Sequence, residues 1–225
     1  MHSHMLPGID DGSPDIETSI LLIKGLLNLG YSNFVTTPHV MEDLYPNSPE
    51  IIKAAFEDLK AGMNDVVLGQ KFRPAAEYLL DGNVDTLLEK KEPLLTIKDK
   101  LVLVEISFAS PPLHLREILF QLQISGYQPV FAHPERYAFY HQNPKKYAEV
   151  KASGCLFQCN LLSFSGYYGP GVKQAAEFLV QKGLIDLLGT DMHHEKHLQH
   201  LRDLNFTPAL AKLLDEQGVM NHALW

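Results

Sequence analysis

Cysteine is scarce in this 225-residue sequence, which contains only Cys155 and Cys159. Two cysteines exclude a disulfide framework, and their spacing excludes the CxxC pairs of zinc ribbons and thioredoxin-like proteins. Neither cysteine is followed six positions later by arginine, so the thiolate loop of the cysteine-dependent phosphatases is absent as well. This cysteine usage predicts a reducing, cytoplasmic compartment.

Long apolar runs and an excess of basic residues are also missing. No apolar run approaches the ~20 residues of a transmembrane helix, and no charged-then-apolar leader opens the chain. The sequence therefore predicts neither membrane insertion nor a signal peptide. Acidic residues outnumber basic residues by 27 to 19, and the net charge of −8 argues against nucleic acid or an anionic membrane as a partner.

Loops that bind nucleotide phosphates are absent too. There is no GxGxxG after a strand and no glycine-rich loop that ends in Lys-Ser or Lys-Thr. What is present is an ordinary globular composition, with 45% hydrophobic and 20% charged residues. No linker, repeat or low-complexity tract divides the chain, so we predict one domain over residues 1–225.

The hydrophobic pattern alternates between short β-branched runs and helical stripes. Strands are predicted at 34–37, 72–80, 100–108, 129–132, 155–160 and 184–188. Helices are predicted with Ser13 as the first N-cap, at 14–29, 49–63, 81–91, 113–124, 145–152, 171–182 and, as one or two helices, 197–217. This alternation predicts a parallel α/β sheet, and polar residues at the strand ends predict a β/α barrel. Six strands become seven if a first strand, largely missing from the front of the chain, presents His2 and His4.

His2 and His4 stand one residue apart near the start of the chain. Side chains of an extended segment alternate between two faces, so both imidazoles point to the same side and can face one metal ion. A chance occurrence or a tag remnant is the ordinary alternative for such a pair. The metal hypothesis gains support because imidazole and carboxylate side chains also follow the predicted strands, at His39, Glu77, Glu105, His133, Asp191 and His193.

Glu105 lies within the most clearly buried of the predicted strands. A carboxylate in such a place is costly unless a cation or hydrogen bonds compensate for it. Asp191 and His193 repeat the spacing of His2 and His4 at another strand end. Imidazole and carboxylate ligands without thiolates suit Mn²⁺, Fe or Zn²⁺, and their number exceeds the needs of a single ion.

Arg136 follows His133 by three residues and is predicted to lie at the mouth of the site. A guanidinium group there is suited to bidentate contact with phosphate oxygens. The alternative is a surface ion pair with Glu135 or another acid.

Two further groups of side chains each allow two interpretations. His194, His197 and His200 are interpreted as a solvated or loop-packing cluster, with substrate contact as the alternative. Tyr167 and Tyr168 either anchor their glycine-rich loop or stack on a substrate ring.

Six short motifs together carry a family resemblance. They are His2-Ser3-His4 with Leu6-Pro7-Gly8-Ile9-Asp10-Asp11-Gly12, Thr36-Thr37-Pro38-His39, Ala76-Glu77-Tyr78, Leu103-Val104-Glu105-Ile106-Ser107-Phe108, Ala132-His133-Pro134-Glu135-Arg136-Tyr137 and Thr190-Asp191-Met192-His193. In order and spacing they resemble the PHP (polymerase and histidinol phosphatase) superfamily. Within it, they are most similar to the metal-dependent protein tyrosine phosphatases of capsule and exopolysaccharide loci.

The resemblance implies a fold and a metal centre. The fold is the family's distorted seven-stranded β/α barrel. The centre is a trinuclear site for two to three divalent ions, manganese first with iron or zinc as alternatives. Its implied ligands are His2, His4, Asp11, His39, Glu77, Glu105, His133, Asp191 and His193.

The resemblance also implies catalytic residues. Arg136 is expected to bind phosphate, and Arg136, His39 and His193 are the candidate catalytic residues. The family often has a second arginine after the Asp-x-His motif. This chain has His194-Glu195-Lys196-His197 there, with Arg202 further on.

The implied reaction is hydrolysis of phosphotyrosine on protein. The implied partner is the tyrosine-rich tail of a bacterial autokinase that controls polysaccharide export. Two other classes stay open. One is another PHP phosphoesterase that acts on histidinol phosphate or on nucleic-acid ends, of which the acidic composition disfavours the latter. The other is a metal-binding accessory module without catalytic activity.

Overall fold

Eight short strands lie at the centre of the protein in the computed structural model, which describes residues 1–63 and 71–225. They are β1 Asn33–Thr36, β2 His39–Val40, β3 Lys71–Pro74, β4 Glu77–Leu79, β5 Leu101–Glu105, β6 Gln128–Ala132, β7 Leu156–Asn160 and β8 Leu187–Gly189. Six of them form a sheet in the order β2-β4-β5-β6-β7-β8, and β1 pairs with β3. Every pairing is parallel. The predicted parallel α/β class is confirmed.

The single long strand predicted around Glu77 is wrong, because the chain forms two strands there. Pro74 has no N–H to donate, and β3 ends at this residue. Backbone hydrogen bonds nevertheless bridge the interruption. The Ala75 N–H donates to the Thr36 carbonyl at 2.7 Å, and the Glu77 N–H donates to the Pro38 carbonyl at 3.0 Å. The β1-β3 pair therefore leads directly into the β2-β4 pair.

The N-terminal segment lies between the ends of β8 and β1. On one side, the His4 N–H donates to the Met192 carbonyl at 2.8 Å; on the other, the Thr37 N–H donates to the Ser3 carbonyl at 2.7 Å. Ser3 and Met192 also form an isolated parallel bridge. The segment thus lies where the seventh strand was expected. In the described ranges, however, the assigned strands form two sheets and not a single closed barrel.

The helices connect the strands. They are α1 Ile16–Asn28, α2 Pro49–Gly62, α3 Gly82–Glu89, α4 Leu115–Ile124, α5 Ala138–His141, α6 Lys145–Ala152, α7 Pro170–Gln181, α8 Glu195–Arg202 and α9 Pro208–Glu216. Short 3-10 helices span Pro134–Arg136, Leu161–Ser165 and Met220–Leu224. No helix in the described part of the chain combines the length and apolar character of a membrane span.

The start of α1 differs from the prediction. Asp15 is the N-cap, since its side chain accepts a hydrogen bond from the Thr18 N–H at 2.8 Å. Ser13 is fully buried instead, and its N–H donates to the His4 carbonyl at 3.0 Å. The serine therefore closes the loop that follows the histidine pair and does not begin the helix.

Side chains alternate between the two faces of the central strands. On β5, Val102 and Val104 belong to the large core cluster, whereas Leu103 belongs to a smaller cluster on the other face with Val130. Because the period is two, Glu105 projects to the same face as Leu103. The strand pattern thus places this carboxylate above the small cluster, at the carboxyl-terminal edge of the sheet.

Gly25 lies in the interior of α1, where glycine normally weakens a helix. A Cβ atom at this position would overlap the Leu198 side chain of α8, so a larger residue would force that buried side chain to move. We expect Gly25→Ala to lower the free energy of unfolding by about 1–3 kcal/mol, although alanine has the higher helix propensity. Urea unfolding measures this change.

A second substitution tests the cause of that loss. Leu198→Ala removes the atoms that the new Cβ would meet. The double variant should therefore be more stable than the sum of the two single losses predicts. A gain of stability from Gly25→Ala alone would contradict the proposed contact.

Candidate metal centre

Imidazole and carboxylate side chains gather at the carboxyl-terminal edge of the sheet. Their donor atoms fall into four overlapping groups, and within each group the atoms lie within 4.8 Å of one another. The groups are His4, Asp11, His39 and His193; His2, His4 and Glu77; His2, His133 and Asp191; and His39, Glu77 and Glu105. Together they contain all nine residues that the family resemblance named as ligands. The fold thus brings these residues, which span nearly the whole chain, to one place.

Glu77 lies at the centre of this cluster and is fully buried. Its Oε2 atom is 3.2 Å from Nε2 of His2 and of His4, and its Oε1 atom is 3.2 Å from Nε2 of His133. Asp191 reaches the same region, with Oδ1 3.2 Å from His2 Nε2. Imidazole nitrogens therefore surround two buried carboxylates.

Several buried nitrogen and oxygen atoms of the cluster have no hydrogen-bond partner. His39 Nδ1 lies 2.8 Å from Glu105 Oε1, yet neither atom is in hydrogen-bond geometry, and His133 Nδ1 has no partner either. Buried polar atoms of this kind are costly unless another group, such as a cation, completes them. The donors are imidazole and carboxylate groups, the set that suits Mn²⁺, Fe or Zn²⁺. The residues therefore fit metal ions.

Hydrogen bonds from Nδ1 orient two of the histidines. His2 Nδ1–H donates to Gln158 Oε1 at 2.6 Å, and His4 Nδ1–H donates to Asp10 Oδ2 at 2.7 Å. Since the Nδ1 atoms carry protons in these bonds, Nε2 of each ring is the nitrogen that could lose its proton and bind a metal ion on the side of Glu77. Such partners set the tautomer and the ring orientation of metal-binding histidines.

Asp10 was not among the predicted site residues. Besides His4, its carboxylate accepts hydrogen bonds from the backbone N–H groups of His39, at 3.1 Å, and Gly12, at 3.0 Å. A Cβ atom at Gly12 would overlap the backbone of His4, so this tight loop requires glycine. The signal in the sequence is that Asp10 directly precedes Asp11, the predicted ligand.

Two polar residues of β7 were also missed. Gln158 Nε2 donates to Asn160 Oδ1 at 2.9 Å, and Asn160 Nδ2 donates to Asp191 Oδ2 at 2.7 Å. With the bond from His2, they form a continuous chain of hydrogen bonds between two candidate ligands. Both residues are fully buried. The sequence contained a signal for both residues, because polar side chains two positions apart in a predicted buried strand are as unusual as the acid at Glu105.

Backbone strain accompanies the cluster at three positions. His2, His133 and Asp191 have φ values of 62°, 33° and 49°, in the region that favours glycine. Each such residue costs on the order of 1–3 kcal/mol, and the surrounding structure must hold it in place. The backbone at His2 is therefore not extended, and the alternation of side chains in an extended segment does not explain why its ring lies beside that of His4.

Opposite charges keep the buried carboxylate of Glu77 ionised. Burial on its own raises the pKa of Glu77, but His2 and His133 hold it well below its usual range. Burial likewise lowers the pKa of His2, while Glu77 and Asp191 together outweigh it and raise this pKa to about 10. The buried carboxylates thus need neighbouring positive charge, which either imidazolium groups or metal ions supply.

A pocket of about 250 Å³ opens onto the cluster. It is lined by Asp11, His39, Glu105, Phe108, His133, Arg136, Tyr168, Asp191, His193, His194 and His197. Arg136 donates from Nη1 to Asp191 Oδ2 at 2.7 Å, and its side chain is 24% exposed. The prediction that this arginine borders the site is consistent with its position in the pocket wall.

The alternative left open for Arg136 was an ion pair with Glu135 or another acid, and the structure forms such a pair with Asp191 and not with Glu135. Glu135 is fully buried and accepts hydrogen bonds from the Asn160 N–H at 2.9 Å and from Ser163 Oγ at 2.6 Å. The Arg136 guanidinium also packs against the ring of Tyr168, whose centroid lies 4.4 Å from Arg136 Cζ.

The histidine cluster after the Asp-x-His motif divides into two parts. His194 and His197 line the pocket, and His197 is buried with its Nδ1 accepting the His193 N–H at 3.2 Å. Of the two interpretations, solvated or loop-packing, His197 agrees with loop packing. His200 packs against the Tyr167 ring, with centroids 4.8 Å apart. Arg202 borders a separate groove next to α1 and does not line this pocket.

The model of the family described as "Capsular polysaccharide synthesis, CpsB/CapC" matches residues 1–206. The chain belongs to this family. Among its relatives is the tyrosine-protein phosphatase YwqE of Bacillus subtilis, 30% identical over 87% of this chain and 77% of that protein. The tyrosine-protein phosphatase CpsB of Streptococcus pneumoniae is 26% identical over 86% of this chain and 82% of that protein. The resemblance drawn from the motifs is confirmed.

Solved structures agree with this CpsB/CapC assignment. A crystal structure from a study of YwqE of Bacillus subtilis and CpsB of Streptococcus pneumoniae, described as metal-dependent tyrosine phosphatases, matches with a TM-score of 0.82 and 27% identity. It covers 98% of this chain and 93% of that chain. Histidinol phosphate phosphatase of Lactococcus lactis matches with a TM-score of 0.55 at 13% identity, over 94% of this chain and 92% of that one. At this identity the second match shows a shared fold alone.

Substitution of Asp10 tests the hydrogen bonds that this carboxylate accepts beside the cluster. Asp10→Ala leaves three partly buried N–H donors without their acceptor, on His4, His39 and Gly12. We expect the free energy of unfolding of the metal-free protein to fall by about 2 kcal/mol or more. Urea unfolding measures the loss. Asp43→Ala, at an exposed acid, is the matched control, and equal stability of the two variants would contradict the role of Asp10.

Proposed function

We propose that this protein is a metal-dependent phosphatase that hydrolyses phosphotyrosine on proteins. The observation that carries the proposal is the position of Arg136 in the wall of the pocket that opens onto the nine clustered donors. Membership of the CpsB/CapC family and the names of its relatives support the same reaction. A cationic guanidinium beside a metal-binding cluster is suited to a phosphate ester.

We propose that the nine clustered residues bind two to three divalent ions, manganese first with iron or zinc as alternatives. Four overlapping groups of donors support more than one ion. Bound ions of this kind polarise phosphoryl oxygens and make hydroxide available near neutral pH.

The outer and inner ligands have different proposed roles. Asp11, His39 and His193 line the pocket, whereas His2 and Glu77 are buried behind it. The outer residues therefore lie closest to the substrate phosphate, which supports His39 and His193 as candidate catalytic residues. The inner residues hold the centre together.

Arg136 is proposed to bind the phosphate oxygens. Its Nη1 is engaged by Asp191, which directs the guanidinium toward the cluster while other N–H groups remain for a ligand. Charge that develops on the phosphoryl oxygens is stabilised by such a preorganised donor. The phenol that leaves has a pKa of ~10 and needs less help from an acid than an alkyl alcohol does.

The finer architecture is also a proposal. We infer a distorted seven-stranded β/α barrel in which the N-terminal segment is one strand and β1-β2 and β3-β4 count as one strand each. The hydrogen bonds of Ser3 to Thr37 and of His4 to Met192 support this closure. One domain over residues 1–225 is supported by Arg73, which donates to the Leu224 carbonyl at 2.7 Å.

The proposed partner is the tyrosine-rich tail of a bacterial autokinase that controls polysaccharide export. The description of the family, capsular polysaccharide synthesis, supports this choice. A cytoplasmic location fits such a partner, and Cys155 and Cys159 are both free thiols.

The reaction itself is tested with two phosphopeptides of the same sequence. Metal-loaded protein should hydrolyse the phosphotyrosine peptide faster than the phosphoserine peptide, and a strong chelator should abolish both rates. Elemental analysis should find more than one metal ion per chain. Faster hydrolysis of phosphoserine or of histidinol phosphate would assign the protein to another phosphoesterase class. Full activity of metal-free protein would contradict the metal mechanism.

Two residues of one short segment separate metal binding from phosphate binding. His133→Ala removes a proposed ligand, so metal affinity should fall at least about tenfold and activity should fall with it. Arg136→Ala should leave metal content nearly intact, because Asn160 still holds Asp191. It should lower kcat/KM about 100-fold.

Elemental analysis and steady-state kinetics measure both effects. Arg136→Lys should restore activity only in part, because an ammonium group cannot form the bidentate contact. Near-normal kinetics of Arg136→Ala would exclude the phosphate-binding role.

A further inference from the structure

Phe108 is an exposed aromatic residue at the pocket. Although it follows a buried strand, 49% of its surface is open to solvent, and it lines the pocket that opens onto the cluster. A single exposed apolar side chain is ordinary on a protein surface, but Phe108 lies in a pocket beside converging polar groups, where an open aromatic ring can contact a ligand.

The covered part of the Phe108 ring rests on site residues. It stacks on the His133 ring, with centroids 5.6 Å apart and planes inclined by 18°. It also contacts Tyr137, at 5.3 Å between centroids, and its own centroid lies 4.9 Å from Arg136 Cζ. The ring is thus held in place by neighbours, and about half of it remains free to contact a ligand.

Tyr168, the other aromatic ring in the pocket wall, is less available. Its ring packs against the Arg136 guanidinium, and its hydroxyl oxygen is buried. Phe108 therefore presents an open aromatic surface in the pocket, whereas the Tyr168 ring packs against Arg136.

We propose that Phe108 contacts the aromatic ring of the substrate and selects aryl phosphates over alkyl phosphates. The inference rests on the proposed function, because it takes Arg136 and the adjacent cluster as the phosphate site. Phe108 touches both His133 and Arg136, so a ring that leaves the phosphate toward the pocket mouth passes this residue. An alkyl phosphate presents no ring there and gains nothing from the contact.

Binding of two phosphonates to the metal-loaded full chain tests the proposal without turnover. Benzylphosphonate and ethylphosphonate share the charged group and differ in the ring. Isothermal titration calorimetry should show that the wild-type protein binds benzylphosphonate roughly tenfold more tightly. Phe108→Ala should reduce this ratio to about one, mainly by weakening benzylphosphonate, and Phe108→Tyr should keep it.

Phe120→Ala is the matched control, since Phe120 is an exposed phenylalanine on α4 outside the pocket. It should retain the wild-type ratio. Circular dichroism and metal content verify that Phe108→Ala is folded and loaded. An unchanged ratio in Phe108→Ala, or equal weakening of both phosphonates, would overturn the proposal. Equal weakening means that Phe108 only supports His133 and Arg136.

Turnover of a phosphotyrosine peptide distinguishes this inference from the function on which it rests. If the wild-type protein prefers benzylphosphonate through Phe108 but does not hydrolyse the peptide, the ring contact stands and the phosphatase proposal fails. If it hydrolyses the peptide and Phe108→Ala keeps the aryl preference, the phosphatase proposal stands and the ring contact fails.

Discussion

The structure depends on compensating the charge of a buried carboxylate, Glu77, at the carboxyl-terminal edge of a parallel sheet. The side chain is fully buried and has imidazole nitrogens of His2, His4 and His133 at 3.2 Å. A buried carboxylate without such neighbours would cost several kcal/mol. Segments that are distant in the sequence must therefore meet at this point.

The need to hold these groups explains features that look unfavourable in isolation. Left-handed backbone at His133 and Asp191 costs energy that only a well-packed surrounding can supply. Gln158 and Asp10 accept hydrogen bonds that orient the rings of His2 and His4. Rigid support of this kind keeps the donor atoms close to one another, and Arg136 and Phe108 line the pocket beside them, where we propose that they contact the substrate.

Much of the site could be predicted because its residues repeat a simple pattern. A polar side chain at the end of an apolar strand, as at Glu105, can be recognised in the sequence. Parallel strands bring such ends together at one edge of the sheet. Where the prediction was wrong, a local signal had a second explanation. Ser13 resembles an N-cap but closes the loop after His4. The sequence also left open which acid would pair with Arg136, and the fold pairs it with Asp191, because Glu135 accepts hydrogen bonds from Asn160 and Ser163.

The sequence by itself determined the α/β class, the family and the nine candidate ligands, because periodicity and motif spacing are properties of the linear chain. Only the tertiary structure decided how those ligands are grouped, that Asn160 and Arg136 share Asp191, and that Phe108 stands open beside them. The reason is physical. Hydrogen bonds and ring contacts between residues tens of positions apart depend on strand register and on strained backbone angles, and local composition specifies neither.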